Sequence, residues 1–544
     1  MRLSRMGAFF PTRLSFMRSL IRRLHTERAM VTRSVWEIDD DGYGRAVYSV
    51  TFGGDVYSLV AFSTSLDPEQ RTDRVIAEAW DTTYVLFDGR PTSADLDRLA
   101  IETPRQEAGR FSKTELVLSR ANKSLRLFAH VVDSLAVGRQ PDRSMIGKIG
   151  YLMRTTAVYG NGKFGIADRL RILERPAVNG PFQLELLTVW LIRGFTHDLV
   201  EHIAKMRDPK RFRPLASDIK RHLGIGNATG LGMAPFLVNH PILLHSWMLA
   251  RETAFARVRS IERASPATID AFLVCLARAR RHIEDWQVDD ISQMDRILTL
   301  RREMKEIAGL STQAWLAEPY LWDRLTAASE RWSEECQELL LALMLEPHGE
   351  LIDDLSSKMA SDVEPTLQPS MSIGELADLL DETFAWAAAM DFGETASTQR
   401  FWYISEEKLE PRLGDRYREP GAEKELPLDI ARQIQTLRAA IDSEPRHEIV
   451  AHFLMRHPEH RRIARRVQTT ASNPYAEIRD NLLGADCRPI DMLRCKLSFF
   501  GASKFDPKSD LWTRITLYQG APTFEQLGEA DADDWSFPVL GDAA

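Results

Sequence analysis

Apolar residues alternate with polar ones, or cluster with β-branched and aromatic residues, in a few short stretches. The segments "AVYSVTF" (46–52) and "VYSLVAF" (56–62) are separated by Gly-Gly-Asp, which is the pattern of a β-hairpin. Strands are also predicted by "TTYVLFDG" at 82–89, by an aromatic segment at 400–405 and by "DLWTRITLYQGAP" at 510–522. We expect the late strands, near 402 and 515, to join the early hairpin in one small mixed or antiparallel sheet.

Elsewhere apolar residues recur every three or four positions, as in amphipathic helices. This spacing predicts helix at 113–136, again from 143 up to a glycine-rich segment at 160, and almost continuously over 265–345. Segment 181–206 is apolar on most faces near its middle, which predicts a central buried helix. Further helices are expected at 427–443 and 459–483. The expected fold class is therefore α+β and predominantly α-helical, with a large helical body and a small sheet.

Shifts in composition divide the chain into five stretches. Residues 1–29 carry seven arginines and one acid, Glu27, which is the composition of an organelle-targeting peptide. A disordered basic tail, or an upstream extension of a reading frame that starts at Met30, explains this composition equally well, so we exclude the stretch from the fold. The others are a sheet-containing unit at 30–110, a helical core with two glycine-rich loops at 111–345, an acidic turn-rich linker at 346–375 and a helical region with short strands at 376–544.

The charge balance excludes some classes of function. A net charge of −8 and a pI near 6.0 argue against a general nucleic-acid binder. No stretch approaches the ~18 apolar residues of a membrane span. The four cysteines (275, 336, 487 and 495) match no metal-binding spacing and fit a reducing compartment. We expect a soluble cytoplasmic protein, or an organelle-matrix protein if residues 1–29 are a transit peptide, and a homo-oligomeric state stays open.

The first glycine-rich segment, "GNGKFG" at 160–165, is a candidate anion-binding loop. Glycine reaches positive φ without penalty, so such a loop can turn its backbone N–H groups inward around an anion. Lys163 adds a positive charge, Asn161 adds a donor and an acceptor, and Tyr159 flanks the loop. Arg154, predicted at the end of the preceding helix, is suited to bidentate capture of a carboxylate or phosphate. The alternative is a plain turn between two helices with an exposed lysine.

The second glycine-rich segment, "HLGIGNATGLGMAPF", holds four glycines in nine residues, from 224 to 232. The segment before it is predicted to be helical, whereas a dinucleotide-binding fingerprint follows a strand, so no nicotinamide or flavin site of that type is expected. Close approach of a ligand or of a neighbouring helix would explain the glycines. If a ligand approaches, Gly226, Asn227 and Thr229 are its expected contacts.

Five histidines fall in a short span, which makes them candidates for proton transfer: His197, His202, His222, His240 and His245. We predict that His197, His240 or His245 moves a proton and that Glu201 or Asp198 orients the ring. On a helix His197 and Glu201 share a face, and Arg193 on the same predicted helix is a further candidate ligand contact. The alternatives are buried or interfacial histidines with backbone partners, or a metal site that combines His197 and Glu201 with His240 or His245 of another helix.

These candidates predict an enzyme that acts on a small anionic metabolite carrying a carboxylate or phosphate. The cofactor and the reaction type are left unknown by the sequence. A non-catalytic helical scaffold or regulatory protein is the first alternative, with the glycine-rich segments as packing devices. A metal-dependent enzyme with His and Glu ligands from bundled helices is the second alternative.

Overall fold

The computed structural model describes residues 10–67, 69, 79–103, 112–157, 165–166, 175, 178, 182–230, 241–359, 366–391, 400–404, 411–415, 426–427, 430–477, 489–508 and 512–540. Contacts between backbone positions divide the chain into two compact units. The larger unit comprises Arg5–Gly230, Thr253–Ser356 and Leu497–Ala544, and the smaller comprises Met1–Ser4, Leu231–Glu252 and Ser357–Lys496. Each unit is assembled from segments that are distant in sequence, whereas the composition pointed to consecutive ranges.

Helices make up much of the described chain. They are α1 Phe16–Thr26, α2 Ser93–Glu102, α3 Leu127–Ala136, α4 Arg143–Ile149, α5 Gln183–Arg207, α6 Ser217–His222, α7 Pro241–Arg259, α8 Pro266–Glu284, α9 Ile291–Leu310, α10 Gln313–Leu316, α11 Leu321–Ser329, α12 Glu334–Leu345, α13 Gly349–Ile352, α14 Ser356–Met359, α15 Ile373–Thr383, α16 Ala385–Ala388, α17 Ile430–Ile441, α18 Val450–Arg456, α19 Arg461–Ser472 and α20 Pro489–Phe500. Among the described helices, none combines the length and the apolar character needed to cross a bilayer.

The strands form two sheets. They are β1 Val31–Ile38, β2 Gly44–Phe52, β3 Asp55–Ser63, β4 Thr82–Asp88, β5 Glu115–Lys123, β6 Tyr151–Thr155, β7 Gly165–Ile166, β8 Gly224–Gly230, β9 Arg400–Ile404, β10 Pro411–Asp415, β11 Leu426–Pro427, β12 Lys504–Pro507 and β13 Trp512–Leu517. The large sheet follows the order β1-β2-β3-β4-β5-β6-β8-β13-β12, with β7 beside β5. Its neighbours are antiparallel except for the parallel pair β6 and β8.

The α+β class and the mixed sheet are confirmed, but the sheet is larger than the sequence predicts. The hairpin of β2 and β3 turns at Gly53 and Gly54, with φ of 62° and 88°, as the Gly-Gly-Asp signal indicated. The late strand near 515, β13, joins this sheet. The strand near 402, β9, instead pairs with β10 and β11 in a separate three-stranded sheet. An aromatic pattern identifies a strand, whereas its partner depends on the tertiary structure.

Two segments expected to be helical contain strands. Within 113–136 the chain forms β5 before α3, and after α4 it forms β6, so Arg154 lies on a strand. In β5 the consecutive residues Leu116, Val117 and Leu118 are all buried. A strand covered on both faces loses its alternation and cannot be told from a buried helix by periodicity. Gly150, with φ of 78°, ends α4 in the left-handed conformation and directs the chain into β6.

The segment 10–29, which the composition placed outside the fold, is part of the larger unit. Ser15 caps α1, and the apolar side of this helix, including Leu20 and Leu24, is fully buried. On the same helix the buried guanidinium of Arg18 donates to both carboxylate oxygens of Glu346 at 2.7 and 2.8 Å. Arg18 and Arg22 of this helix thus meet carboxylates more than 300 positions away, which composition alone does not reveal.

Helix α5 lies across the large sheet. It contacts strands β2, β3, β5, β6 and β8, and Phe195 of α5 packs against Tyr48 and Tyr84. Because side chains alternate along a strand, the neighbouring Val47 and Val85 point to the opposite face. There they form a core with residues of α2. The predicted central buried helix at 181–206 is therefore confirmed, and helices cover both faces of the sheet.

Candidate functional site

One face of α5 borders a cleft in the larger unit, which we call the α5 cleft. Its lining residues are Trp190, Arg193, Gly194, His197 and Asp198 of α5, Lys220 of α6, and the C-terminal residues Thr523, Phe524 and Glu525. The α5 residues recur at intervals of three and four, as expected for one face of a helix. About 300 Å³ of the cleft is not filled by atoms, counting space open to solvent, and the enclosed part has room for about one water molecule.

Arg193 holds the walls of this cleft together. Its buried guanidinium donates to five backbone carbonyls: Leu223 at 2.6 Å, Pro522 at 2.8 Å, Lys220 at 3.0 Å, Arg221 at 2.6 Å and Ala521 at 2.8 Å. Burial, followed by the nearby charge of Arg221, lowers its pKa to about 9, so it is still a cation at neutral pH. The residue we expected to contact a ligand thus directs its donors at the protein backbone and joins α5 to two other segments.

His197 is the titratable group best placed in the cleft. It is 6% exposed, and burial, then the charges of Arg193 and Lys220, hold its pKa well below the usual 6.5. The imidazole is therefore neutral at neutral pH. Within the part of the chain that the structure describes, neither of its ring nitrogens has a hydrogen-bond partner. A neutral imidazole of this kind can donate from one nitrogen and accept at the other.

The two carboxylates predicted to orient a histidine are engaged elsewhere. Asp198 accepts hydrogen bonds from the Tyr48 hydroxyl at 2.6 Å and from Arg33 at 2.9 Å. Glu201 accepts from the backbone N–H of Leu215 at 2.9 Å and forms an ion pair of 2.9 Å with Lys220. Asp198 therefore contributes to one wall of the cleft, and Glu201 holds the lysine that lines another wall.

The other histidines have protein contacts of their own. His202 accepts from the indole N–H of Trp36 at 3.4 Å, and His222 accepts from the side-chain amide of Gln519 at 2.8 Å. In the smaller unit, His245 accepts from the backbone N–H of Tyr475 at 3.4 Å. Of these three rings, that of His222 is buried and meets a side chain, whereas the half-buried His245 meets a backbone N–H, so the alternative of buried histidines with backbone partners fits them in part. The remaining candidate His240 lies outside the described residues, as do Tyr159, Asn161 and Lys163.

The described part of the second glycine-rich segment, residues 224–230, forms strand β8, and packing explains Gly224 and Gly226. A Cβ atom at Gly226 would lie 2.7 Å from the ring of Tyr151, and one at Gly224 would overlap the backbone of β13. Neighbouring strands, rather than a ligand or a helix, therefore approach this backbone closely. Asn227 is buried opposite Ile515 on β13. Thr229 also lies on β8, opposite Thr513.

The first glycine-rich segment is flanked by strands β6 and β7, both of which pair with β5. The predicted context of two helices is thus wrong. Arg154, which precedes the segment, is buried in β6 in parallel register with Gly226. Residues 158–164 lie outside the described residues, so an anion-binding role for this segment stays a prediction.

Sequence reasoning missed six of the nine residues that line the cleft: Trp190, Gly194, Lys220, Thr523, Phe524 and Glu525. Gly194 did leave a signal, because a glycine in the interior of a long apolar helix is unfavourable by about 1 kcal/mol relative to alanine and calls for an explanation. Lys220 and Phe524 left none, since their place beside α5 depends on the tertiary fold. Among the described side chains, no group of three His, Cys, Asp or Glu residues is arranged to hold a metal ion.

Comparison of the chain with protein-family models, curated proteins and solved structures gives no match. Function is therefore inferred from the residues of the cleft, since a site carries information about chemistry that a fold class does not.

Proposed function

We propose that this protein is an enzyme that binds a small carboxylate- or phosphate-bearing metabolite in the α5 cleft, and that His197 exchanges a proton with it. The observation that carries the proposal is the neutral imidazole of His197 on the cleft wall, beside the cations Arg193 and Lys220. The positive charges that disfavour protonation of His197 favour an anion at the same place.

A bound anion would also prepare His197 for proton transfer. Its negative charge offsets the fields of Arg193 and Lys220 and so raises the pKa of the imidazole toward neutral pH. A group whose pKa lies near the working pH is the most effective general acid or base. In this proposal, binding of the anion is coupled to the uptake of one proton from solvent by His197. The protonated imidazole can then donate that proton to the bound ligand.

Lys220 and Arg193 have different roles in binding: Lys220 contacts the anion, and Arg193 positions the walls of the cleft. The Lys220 side chain is 19% exposed and lies 2.9 Å from Glu201, so it can reach an anion while Glu201 holds it in position. Arg193 acts as a positioning residue, because its hydrogen bonds to Lys220 and Pro522 fix two walls of the cleft. The carboxylate of Glu525 also lines the cleft and limits its positive potential, which favours weakly charged anions.

Isothermal titration with acetate and with inorganic phosphate tests this proposal. We expect at least one anion to bind, Lys220→Met to weaken its binding about tenfold, and Lys205→Met, which removes an exposed lysine of α5, to have little effect. Titration of the parent in buffers of different ionisation heat should show proton uptake, and His197→Asn should remove it. Failure of both anions to bind the parent would overturn the proposal, as would equal affinity in the two lysine variants.

A non-catalytic scaffold is the second candidate, and a specific observation favours it. The donors of Arg193 meet backbone carbonyls, and Gly226 meets the ring of Tyr151, so packing explains both features without a ligand. Under this alternative the cleft is a water-filled gap between packed segments. Absence of anion binding, together with unchanged stability of Lys220→Met, would favour the scaffold.

A further inference from the structure

Phe524 fills a notch in α5 that exists because residue 194 has no side chain. A Cβ atom built on Gly194 would overlap two atoms of the Phe524 ring. The helix has an unfavourable glycine near the middle of its length, at a half-buried position, and the ring lies directly against the helix backbone there. The absence of a side chain at residue 194 thus creates space for a flat group.

The notch has aromatic walls. The Trp190 ring meets the Phe524 ring edge-on, with centroids 4.6 Å apart and planes inclined by 73°, and the Tyr48 ring centroid lies 6.2 Å away. Edge-to-face and offset contacts at these distances stabilise an aromatic guest beyond simple burial. We call the space bounded by Tyr48, Trp190 and Gly194 the aromatic slot.

The aromatic slot opens into the α5 cleft. Trp190, Gly194 and Phe524 line the same cleft as Lys220 and His197. Phe524 is half-buried, whereas Trp190 and Tyr48 are buried, so Phe524 is the most exposed of the three aromatic residues. It precedes a short 3-10 turn, Glu525–Gly528, at the surface. Because Phe524 belongs to a segment separate from α5 and is partly exposed, its ring is the one whose departure would empty the slot without requiring α5 to move.

We propose that Phe524 is a displaceable plug and that the ligand of the cleft is an aromatic carboxylate. The aryl ring of the ligand would replace the Phe524 ring between Trp190 and Tyr48, and its carboxylate would lie beside Lys220 and His197. This inference rests on the function proposed above and narrows its substrate class. It also explains why the closed cleft has room for little more than water, because the protein's own ring occupies the place of the ligand.

Titration calorimetry with acetate and benzoate tests the inference. In the parent, benzoate must first displace Phe524, so Phe524→Ala is expected to raise its affinity at least tenfold while leaving that of acetate unchanged. Phe255→Ala removes a half-buried phenyl ring from α7 and is the matched control. Phe524→Leu, which keeps some apolar cover, serves as a second variant if the alanine variant does not fold.

A second substitution tests the slot itself. Adding Gly194→Ala to Phe524→Ala places a methyl group where the aryl ring should lie, so benzoate affinity is expected to fall at least tenfold and acetate affinity to stay the same. Adding Lys220→Met to Phe524→Ala is expected to weaken both acids. Circular dichroism of every variant checks that α5 has formed.

The outcomes separate this inference from the proposed function. If Phe524→Ala does not raise the affinity for benzoate while acetate binding depends on Lys220, the proposed role of the aromatic slot is overturned and the proposed anion site stands. If benzoate gains affinity but Lys220→Met does not reduce it, the placement of the carboxylate is wrong and the aromatic acid is overturned as the ligand. If neither acid binds any variant, the proposed function fails and this inference fails with it.

Discussion

Arg193 and Pro522 are 329 positions apart in sequence and joined by a buried hydrogen bond of 2.8 Å, from Nη1 to the carbonyl oxygen. The residues that form one wall of the α5 cleft, Thr523 to Glu525, follow Pro522 directly. The same guanidinium donates to the carbonyl of Lys220, which also lines the cleft, and to that of Leu223. One side chain on α5 thus sets the distance between two segments that the sequence keeps far apart.

Replacement of Arg193 should therefore destabilise the larger unit strongly. Arg193→Met leaves several buried carbonyls without their donor, and such losses are severe because water does not replace the partner. We expect the free energy of unfolding, measured by urea denaturation, to fall by about 3–5 kcal/mol. Arg207→Met, at the exposed end of the same helix, is the control and should change it by less than about 1 kcal/mol. A similar loss in both variants would contradict the role of Arg193.

Gly226 is required by packing, so its replacement should be harmful even without a ligand. In Gly226→Ala the new methyl group meets the Tyr151 ring at 2.7 Å, and such overpacking is expected to reduce stability by about 1–3 kcal/mol. Tyr151→Ala should relieve the clash, so the double variant should lose less than the sum of the single losses. Gly309→Ala, where a Cβ atom meets nothing within 4 Å, should be neutral or stabilising.

Acid should destabilise the larger unit through its buried histidines. Burial, and then nearby charges including His282, lowers the pKa of His222 to about 3, and burial lowers that of His197 as well. Because the unfolded chain binds these protons near pH 6.5 and the folded one does not, stability is fully present above pH 6.5. It declines by up to about 1.4 kcal/mol per pH unit for each histidine as the pH falls toward the folded pKa.

The free energy of unfolding, measured between pH 7.5 and 5, tests whether stability falls with pH as expected. His222→Gln keeps a polar partner for Gln519 and removes the titration, so its stability should depend less steeply on pH. A His222→Gln slope equal to that of the parent would show that this residue does not contribute.

The ion pairs of α1 should bind that helix firmly into the larger unit. Arg18 is fully buried and donates to Glu346 and to the carbonyl of Asp533. Arg18→Met removes both short hydrogen bonds to Glu346 and leaves it the longer ion pair of 3.7 Å with Arg13, so we expect a loss of about 3–5 kcal/mol in the free energy of unfolding. Adding Glu346→Leu should restore part of it. Arg23→Met, which removes a more exposed ion pair with Glu27, should lose less than about 1 kcal/mol.

The local sequence pattern was sufficient to predict an element where the spacing of its apolar residues reflects which of its faces are buried. The hairpin of β2 and β3, the buried helix α5 and the helices over 265–345 all follow from spacing and turn residues. It failed at β5 and β6, because strands buried on both faces show no alternation. It also failed at β8, where glycines that resemble a ligand loop are needed so that Tyr151 and β13 can approach.

The sequence by itself determined that His197 and Glu201 share a face of a buried helix that also carries Arg193 and Asp198, because helical periodicity fixes which positions face the same way. Only the tertiary structure decided that Lys220 and Phe524 lie beside this helix, that Glu201 pairs with Lys220, and that Arg193 donates to backbone carbonyls. The physical reason is that the partner of a buried charge or ring is selected by which distant segments pack together, and that selection depends on the whole core and not on residues nearby in the chain.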